Sequence, residues 1–266
     1  MDKELLEKLA YFLQYYRDVY GDEFVVDARH IEKLEQQLPP LFTAPSHSPV
    51  KPTTGKESMP VKPKPRTQTV FDPESKPHTP LWDFMRSIRN CQKCALGKSR
   101  KHFVFGDGNE HADIMFIGEA PGADEDRTGI PFVGRAGKLL DKLLAHIQLK
   151  RSDVFIANIL KCRPPNNRDP LPGEVQQCIP YLYTQIEMIQ PKIIVALGRV
   201  AAQNLLGTNS SLKQMRGRLW QYRGVDMIVT YHPAAILRNG GLLNPTLEDF
   251  KFLAERYREK LKRNVS

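Results

Sequence analysis

No stretch of the 266 residues approaches the roughly 18–20 consecutive apolar residues that a membrane-crossing helix requires, so no span is expected. The start, Met1-Asp2-Lys3-Glu4, alternates in charge and lacks the apolar core of a secretory signal, which points to an intracellular, cytoplasmic chain. Cysteine is scarce. Only Cys91, Cys94, Cys162 and Cys178 occur, and in a reducing compartment a set that includes a Cys-x-x-Cys pair is better explained by metal than by disulfides. Neither Gly-x-Gly-x-x-Gly nor Gly-x-x-x-x-Gly-Lys-[Ser/Thr] accompanies the glycine-rich turn at 118–122, which weakens a nucleotide-binding reading. There is no internal repeat.

What is present divides the chain unevenly. Residues 1–80 carry a net charge of −1, and residues 81–266 carry +10 of the total +9. A basic domain beside a near-neutral appendage suggests a polyanionic partner, nucleic acid being the commonest. The appendage reads as an N-terminal helical extension over 1–38, with Leu5, Leu9, Phe12 and Tyr16 on one helical face and a second, weaker helix from Ala28 to Gln37. From Pro39 to Pro80 lie 11 of the 21 prolines, a composition that reads as a flexible linker. Residues 81–266 then form the main domain.

Within that domain, apolar runs at Ile114–Ile117, Val154–Leu160, Lys192–Leu197 and Met227–Tyr231 read as strands. Helical patterns alternate with them at 137–147, 173–190, 200–206 and 246–262. The expected fold is three-layer α/β/α around a central, mainly parallel four-stranded sheet. In such a sheet the carboxyl ends of the strands share one edge, where ligands bind. Glu119, Asn158 and His232 each follow or end a strand, so an acid, an amide and an imidazole are expected to converge there. The Cys-x-x-Cys pair and the later Cys162 and Cys178 admit, on spacing alone, either tetrahedral zinc or an iron–sulfur cluster.

Several motifs in fixed order resemble those of one family. Gly118-Glu119-Ala120-Pro121-Gly122 with Pro131-Phe132-Val133-Gly134, the strand carrying Asn158, and His232-Pro233-Ala234 resemble uracil-DNA glycosylases. The four cysteines narrow the resemblance to the family 4 type; it spans roughly Cys91 to the last helix. The resemblance implies base-excision repair of DNA: hydrolysis of the N-glycosidic bond of a flipped-out deoxyuridine by a monofunctional enzyme, leaving an abasic site. It implies Glu119 and His232 as catalytic groups, the first activating water or offsetting sugar charge, the second donating to uracil O2. Gly118, Ala120, Phe132 and Asn158 would contact uracil, with Phe132 stacking and Asn158 reading the N3–H and O4 edge. Glu125 would brace its loop and keep thymine out, with Asp124 and Asp126 as neighbouring candidates.

The four cysteines would hold a structural [4Fe–4S] cluster, which braces the basic loops 98–101 and 163–168 against DNA. Arg163, Leu237 and Arg238 would contact DNA, Leu237 as a wedge. The expected partner is uracil-containing DNA and the expected state a monomer in the nucleoid, with the extension free to dock a protein. The presence of Glu119 and the lack of an insertion after Asn158 favour turnover over covalent trapping. A non-catalytic, metal-stabilised module binding DNA or a nucleotide is the alternative.

Overall fold

The computed structural model describes residues 70–263. The helices expected over 4–20 and 28–37, and most of the linker, lie outside the described residues. The linker expected to reach Pro80 is tied down before it ends. Phe71 N–H donates to the Thr128 carbonyl at 2.7 Å. The Lys76 ammonium reaches Asp107 at 2.8 Å and lies 4.4 Å above the Trp82 ring. Trp82 itself sits in helix α1 (Pro80–Ile88), whose Leu81, Trp82 and Met85 are buried. A short helix, α2 (Leu96–Ser99), follows the Cys-x-x-Cys turn.

The sheet has six strands rather than the expected four. Strand β1 (Asp107–Gly108) is an edge; β2 (Ile114–Gly118) leads to the short helix α3 (Ala123–Thr128) and to α4 (Arg135–His146). Next come β3 (Phe155–Asn158), the long helix α5 (Pro172–Ile189) and β4 (Ile193–Leu197). Helices α6 (Arg199–Leu206) and α7 (Leu212–Met215) precede a hairpin of β5 (Leu219–Tyr222) and β6 (Val225–Thr230). Helices α8 (Pro233–Arg238) and α9 (Leu243–Arg263) complete the chain.

The order across the sheet is β1-β3-β2-β4-β6-β5. The four inner strands are parallel and the two edges antiparallel. The inner strands are apolar because helices cover both of their faces. Met115, Ile117, Phe155, Ala157, Ile194 and Ala196 join one core with α1, α5 and α6. On the other face Phe116 stacks on Phe250 of α9 at 6.0 Å, and α4 packs on both α8 and α9. Parallel register sets Gly118 beside Asn158 and Leu197 beside Thr230, so the carboxyl ends of the inner strands fall on one edge. Among the described residues no helix is long and apolar enough to cross a membrane.

Candidate active site

At that edge lies a cavity of about 460 Å³. Each inner strand supplies part of its wall: Glu119 follows β2, Asn158 ends β3, Gly198 follows β4 and His232 follows β6. The expected convergence of acid, amide and imidazole is therefore what the chain builds. Phe132, Glu125, Ala120 and Arg238 complete the part of the wall anticipated from sequence.

Each side chain is held differently. The Glu119 carboxylate is half-buried and has no hydrogen-bond partner among the described residues. Burial raises its pKa above the usual 4.5; Asp169 adds to the rise, and Arg199 and Arg238 oppose it. His232 is the N-cap of α8, and its Nδ1 accepts from Ala234 N–H at 3.1 Å. An acceptor at Nδ1 places the proton of the neutral ring on Nε2. Burial, helped by Arg238, pushes the imidazole down to about 4, so it stays neutral near pH 7. The end of β6 that carries it is anchored by a buried carboxylate: Asp249 accepts from Thr230 Oγ1 at 2.6 Å and from Arg216 Nε at 2.8 Å.

Asn158 is 1% exposed, and among the described residues its Oδ1 has no hydrogen-bond partner. A buried amide oxygen without a donor is costly, and a ligand N–H arriving in the cavity would satisfy it. Phe132 closes the pocket at 5.4 Å from the His232 ring, with 32° between the planes. Its backbone is left-handed at φ 52°. Arg151 holds that conformation by donating to the carbonyls of Pro131 and, at 3.0 Å, Phe132. Two glycines make the packing possible. A Cβ at Gly118 would lie 2.6 Å from Phe132 Cζ and nearer still to Asn158 Oδ1, and one at Gly137 would overlap the Phe132 carbonyl.

The three neighbouring acids separate cleanly. Glu125 accepts from Gly122 N–H at 3.1 Å, Val133 N–H at 2.9 Å and Gly134 N–H at 3.0 Å, bracing both ends of the loop. Asp124 pairs with Arg127 at the surface. Buried Asp126 accepts from Lys101 N–H at 2.8 Å.

The cysteines form a second centre. All four line one small cavity with Lys93, Gly97, Phe103, Gln177 and Tyr181. Their sulfurs are acceptors: Tyr181 hydroxyl donates to Cys91 at 3.2 Å, Arg100 Nη1 to Cys162 at 3.4 Å and Lys161 N–H to Cys178 at 3.3 Å. Donors aimed at sulfur suit thiolates. Without a metal, burial drives the Cys162 thiol up to about 12, so that thiol would be protonated. Among the described residues no group of three His, Cys, Asp or Glu side chains closes on a single-ion position.

Of the three residues expected to contact DNA, Arg238 lines the cavity and Arg163 and Leu237 do not. Arg163 instead donates to Asn167 Oδ1 at 2.8 Å within its own loop. Leu237, expected as a wedge, is half-buried on α8. Arg100, in the basic run 98–101, turns inward to the Cys91 carbonyl at 2.6 Å and the Arg89 carbonyl at 2.9 Å. Sequence reasoning missed Gly198 and Arg199 after β4, and Asp169, which pairs with Arg199 at 2.9 Å. The same strand-end argument applied to β4 would have found Gly198.

Comparison with known proteins agrees with this geometry. A family profile described as the Uracil DNA glycosylase superfamily matches residues 105–258. The chain is 49% identical over 183 residues to a type-4 uracil-DNA glycosylase of Archaeoglobus fulgidus, covering 66% of this chain and 92% of that protein. It is 50% identical over 177 residues to the type-4 uracil-DNA glycosylase of Saccharolobus solfataricus, covering 63% and 82%. A type-5 enzyme of Pyrobaculum aerophilum is more distant, at 30% over 206 residues, covering 62% and 89%. With its strand-end acid, amide and imidazole and its four-thiol centre, the chain belongs to the uracil-DNA glycosylase superfamily, in its type-4 group.

Proposed function

We propose that this chain excises uracil from DNA by hydrolysing the N-glycosidic bond of a flipped-out deoxyuridine. The observation that carries the reading is the buried Asn158 amide, its oxygen without a partner among the described residues, facing the same cavity as Glu119 and the neutral His232. Flipping costs a few kcal/mol, which a closed pocket with a stacking ring offsets. Phe132 supplies that ring, and stacking on it is worth about 1–3 kcal/mol. The Asn158 amide takes uracil N3–H on its oxygen and gives a hydrogen to O4; cytosine presents the reverse pattern.

As the bond from C1′ to N1 breaks, its electron pair moves onto the base and the sugar becomes cationic. His232, neutral because its pKa is low, donates its Nε2–H to uracil O2 and stabilises the departing anion by that hydrogen bond. The Glu119 carboxylate stabilises the sugar cation and orients the water that forms the new bond to C1′. Water's proton passes to the Glu119 carboxylate and from there to solvent. The uracil anion takes up one proton from solvent as it leaves, so that one water is divided between sugar and base. Glu125, with its oxygens committed to backbone donors, forms a stiff wall where the extra methyl of thymine would project. Arg199 and Arg238 on the cavity wall are the candidates for backbone phosphates.

Cys91, Cys94, Cys162 and Cys178 are proposed to hold a [4Fe–4S] cluster. Sulfurs around one tetrahedral zinc stand only about 3.8 Å apart, whereas a cluster spans a wider set. When bound, the group supplies a cross-link among the Cys-x-x-Cys turn, the segment after β3 and helix α5; no step of the reaction passes through it. The reading is tested by time-dependent release of uracil from a deoxyuridine oligonucleotide, with thymine and hypoxanthine substrates as controls. Purified protein that binds the oligonucleotide and never releases base would establish the binding module instead.

A further inference from the structure

Five residues join the two centres. After Asn158, Ile159 N–H donates to the Gly118 carbonyl at 2.9 Å and Leu160 N–H to the Glu119 carbonyl at 3.0 Å. The chain thus continues alongside the turn that carries the acid. Lys161 then points the other way and is 0% exposed. Its ammonium donates to the Asn158 carbonyl at 3.0 Å and to Gln185 Oε1 on α5, and the Gln185 amide donates to the Phe105 carbonyl at 3.0 Å. Its backbone N–H donates to Cys178 Sγ at 3.3 Å, and the next residue is Cys162.

A lysine is an expensive choice for this place. No carboxylate pairs with it among the described residues, and an apolar side chain of similar length would fill the space without desolvating a cation. What the position has that methionine lacks is the pair of hydrogen bonds to Asn158 and Gln185. The first of these grips the main chain of the residue whose side chain faces the cavity with an unpaired oxygen.

We propose that Lys161 is a positioning residue for base recognition. By holding the Asn158 carbonyl it fixes the Asn158 amide against the edge of uracil, and through Cys178 and Gln185 it references that amide to the thiol centre. The inference rests on the uracil-excision reading of the cavity. Either protonation state of the side chain can donate the hydrogen bond, so the role does not depend on its titration.

The test is Lys161→Met in the full chain with its metal centre loaded. Iron content, absorbance at about 400 nm and affinity for an abasic-site duplex should match wild type. The inhibition constant for free uracil should rise about tenfold and kcat should fall, since one hydrogen bond's worth of orientation is lost. That loss should vanish in an Asn158→Ala background, because the tether then has nothing to position. Gln185→Leu, which strips one of the two acceptors, should give a smaller loss in the same direction. An unchanged uracil inhibition constant in Lys161→Met, or an equal loss with and without Asn158, would overturn the inference. If Lys161→Met loses its iron, the decision passes to Gln185→Leu: full uracil affinity there overturns it. A wild-type chain that releases no uracil would remove the excision reading and this inference together. One that releases uracil beside an unimpaired Lys161→Met would remove the inference alone.

Discussion

Gly118→Ala isolates how tightly the pocket is assembled. The added Cβ would sit 2.6 Å from Phe132 Cζ and 2.8 Å from Cε2, with Asn158 Oδ1 closer still. Carbon atoms rest at about 3.5–4.0 Å, so the ring or the amide must retreat by roughly 1 Å. The ring yields only at a cost. Its backbone is left-handed, Arg151 holds its carbonyl, and His232 packs against it. Overpacking of this kind costs about 1–3 kcal/mol of stability, which should lower the melting temperature without unfolding the protein. The effect on activity is larger. Losing the stack at about 1–3 kcal/mol and a buried amide hydrogen bond at about 1 kcal/mol removes about 2–4 kcal/mol from transition-state binding. That corresponds to a fall of about 30- to 1000-fold in kcat/KM. Single-turnover uracil release with enzyme in excess measures it, with thermal melts alongside. Gly173→Ala is the control, because nothing lies within 4 Å of a Cβ there. A folded Gly118→Ala protein that releases uracil within threefold of wild type would refute the assignment of this turn.

Five further outcomes are expected. Glu119→Gln should lower kcat about 10²- to 10³-fold while oligonucleotide binding is retained, and loss of binding instead would place Glu119 in recognition. The acid limb of kcat/KM should have its midpoint above 4.5, because Glu119 acts as an anion and its pKa is raised; below the midpoint the carboxylate protonates and the rate falls. His232, held near 4, should contribute no limb between pH 5 and 8, and a second limb near 6.5 that disappears in His232→Gln would contradict its neutral state. A chain starting at Leu81 should melt below one starting at Val70, because it lacks the Phe71–Thr128 hydrogen bond and the half-buried Lys76–Asp107 pair; equal melting temperatures would return residues 70–79 to the linker. Purified protein should be brown with an absorption band at about 400 nm, and colourless protein with stoichiometric zinc would contradict the cluster.

How much of this was legible follows from where the physics is local. The inner strands are buried on both faces, so each announces itself as an apolar run, and their order with intervening helices implies the parallel sheet. The edge strands do not. Asp107–Gly108 is too short to carry a pattern, and Leu219–Tyr222 is covered on one side only. Glu119, Asn158 and His232 were readable because strand ends share an edge. The choice of Glu125 over its neighbours was not, since it depends on which acid meets the amides of Val133 and Gly134 across the loop. Arg100 shows the opposite error. A basic run looks like a surface for a polyanion until the fold turns one of its members toward backbone carbonyls. Arg151, Asp169 and Lys161 act wholly through tertiary partners and leave no local sign.

The shared segment from Asn158 to Cys162 also bears on what changes of length the fold can absorb. Its main chain is registered against Gly118 and Glu119, with Asn158 lining the cavity at one end and Cys162 lining the thiol centre at the other. One residue added or removed there would shift either Asn158 away from the cavity or Cys162 away from the other thiols, and no side-chain substitution could restore both. Surface loops of the same protein can lengthen at little thermodynamic cost. This stretch cannot, so its spacing of Asn-x-x-x-Cys acts as a fixed ruler between the cavity and the thiol centre.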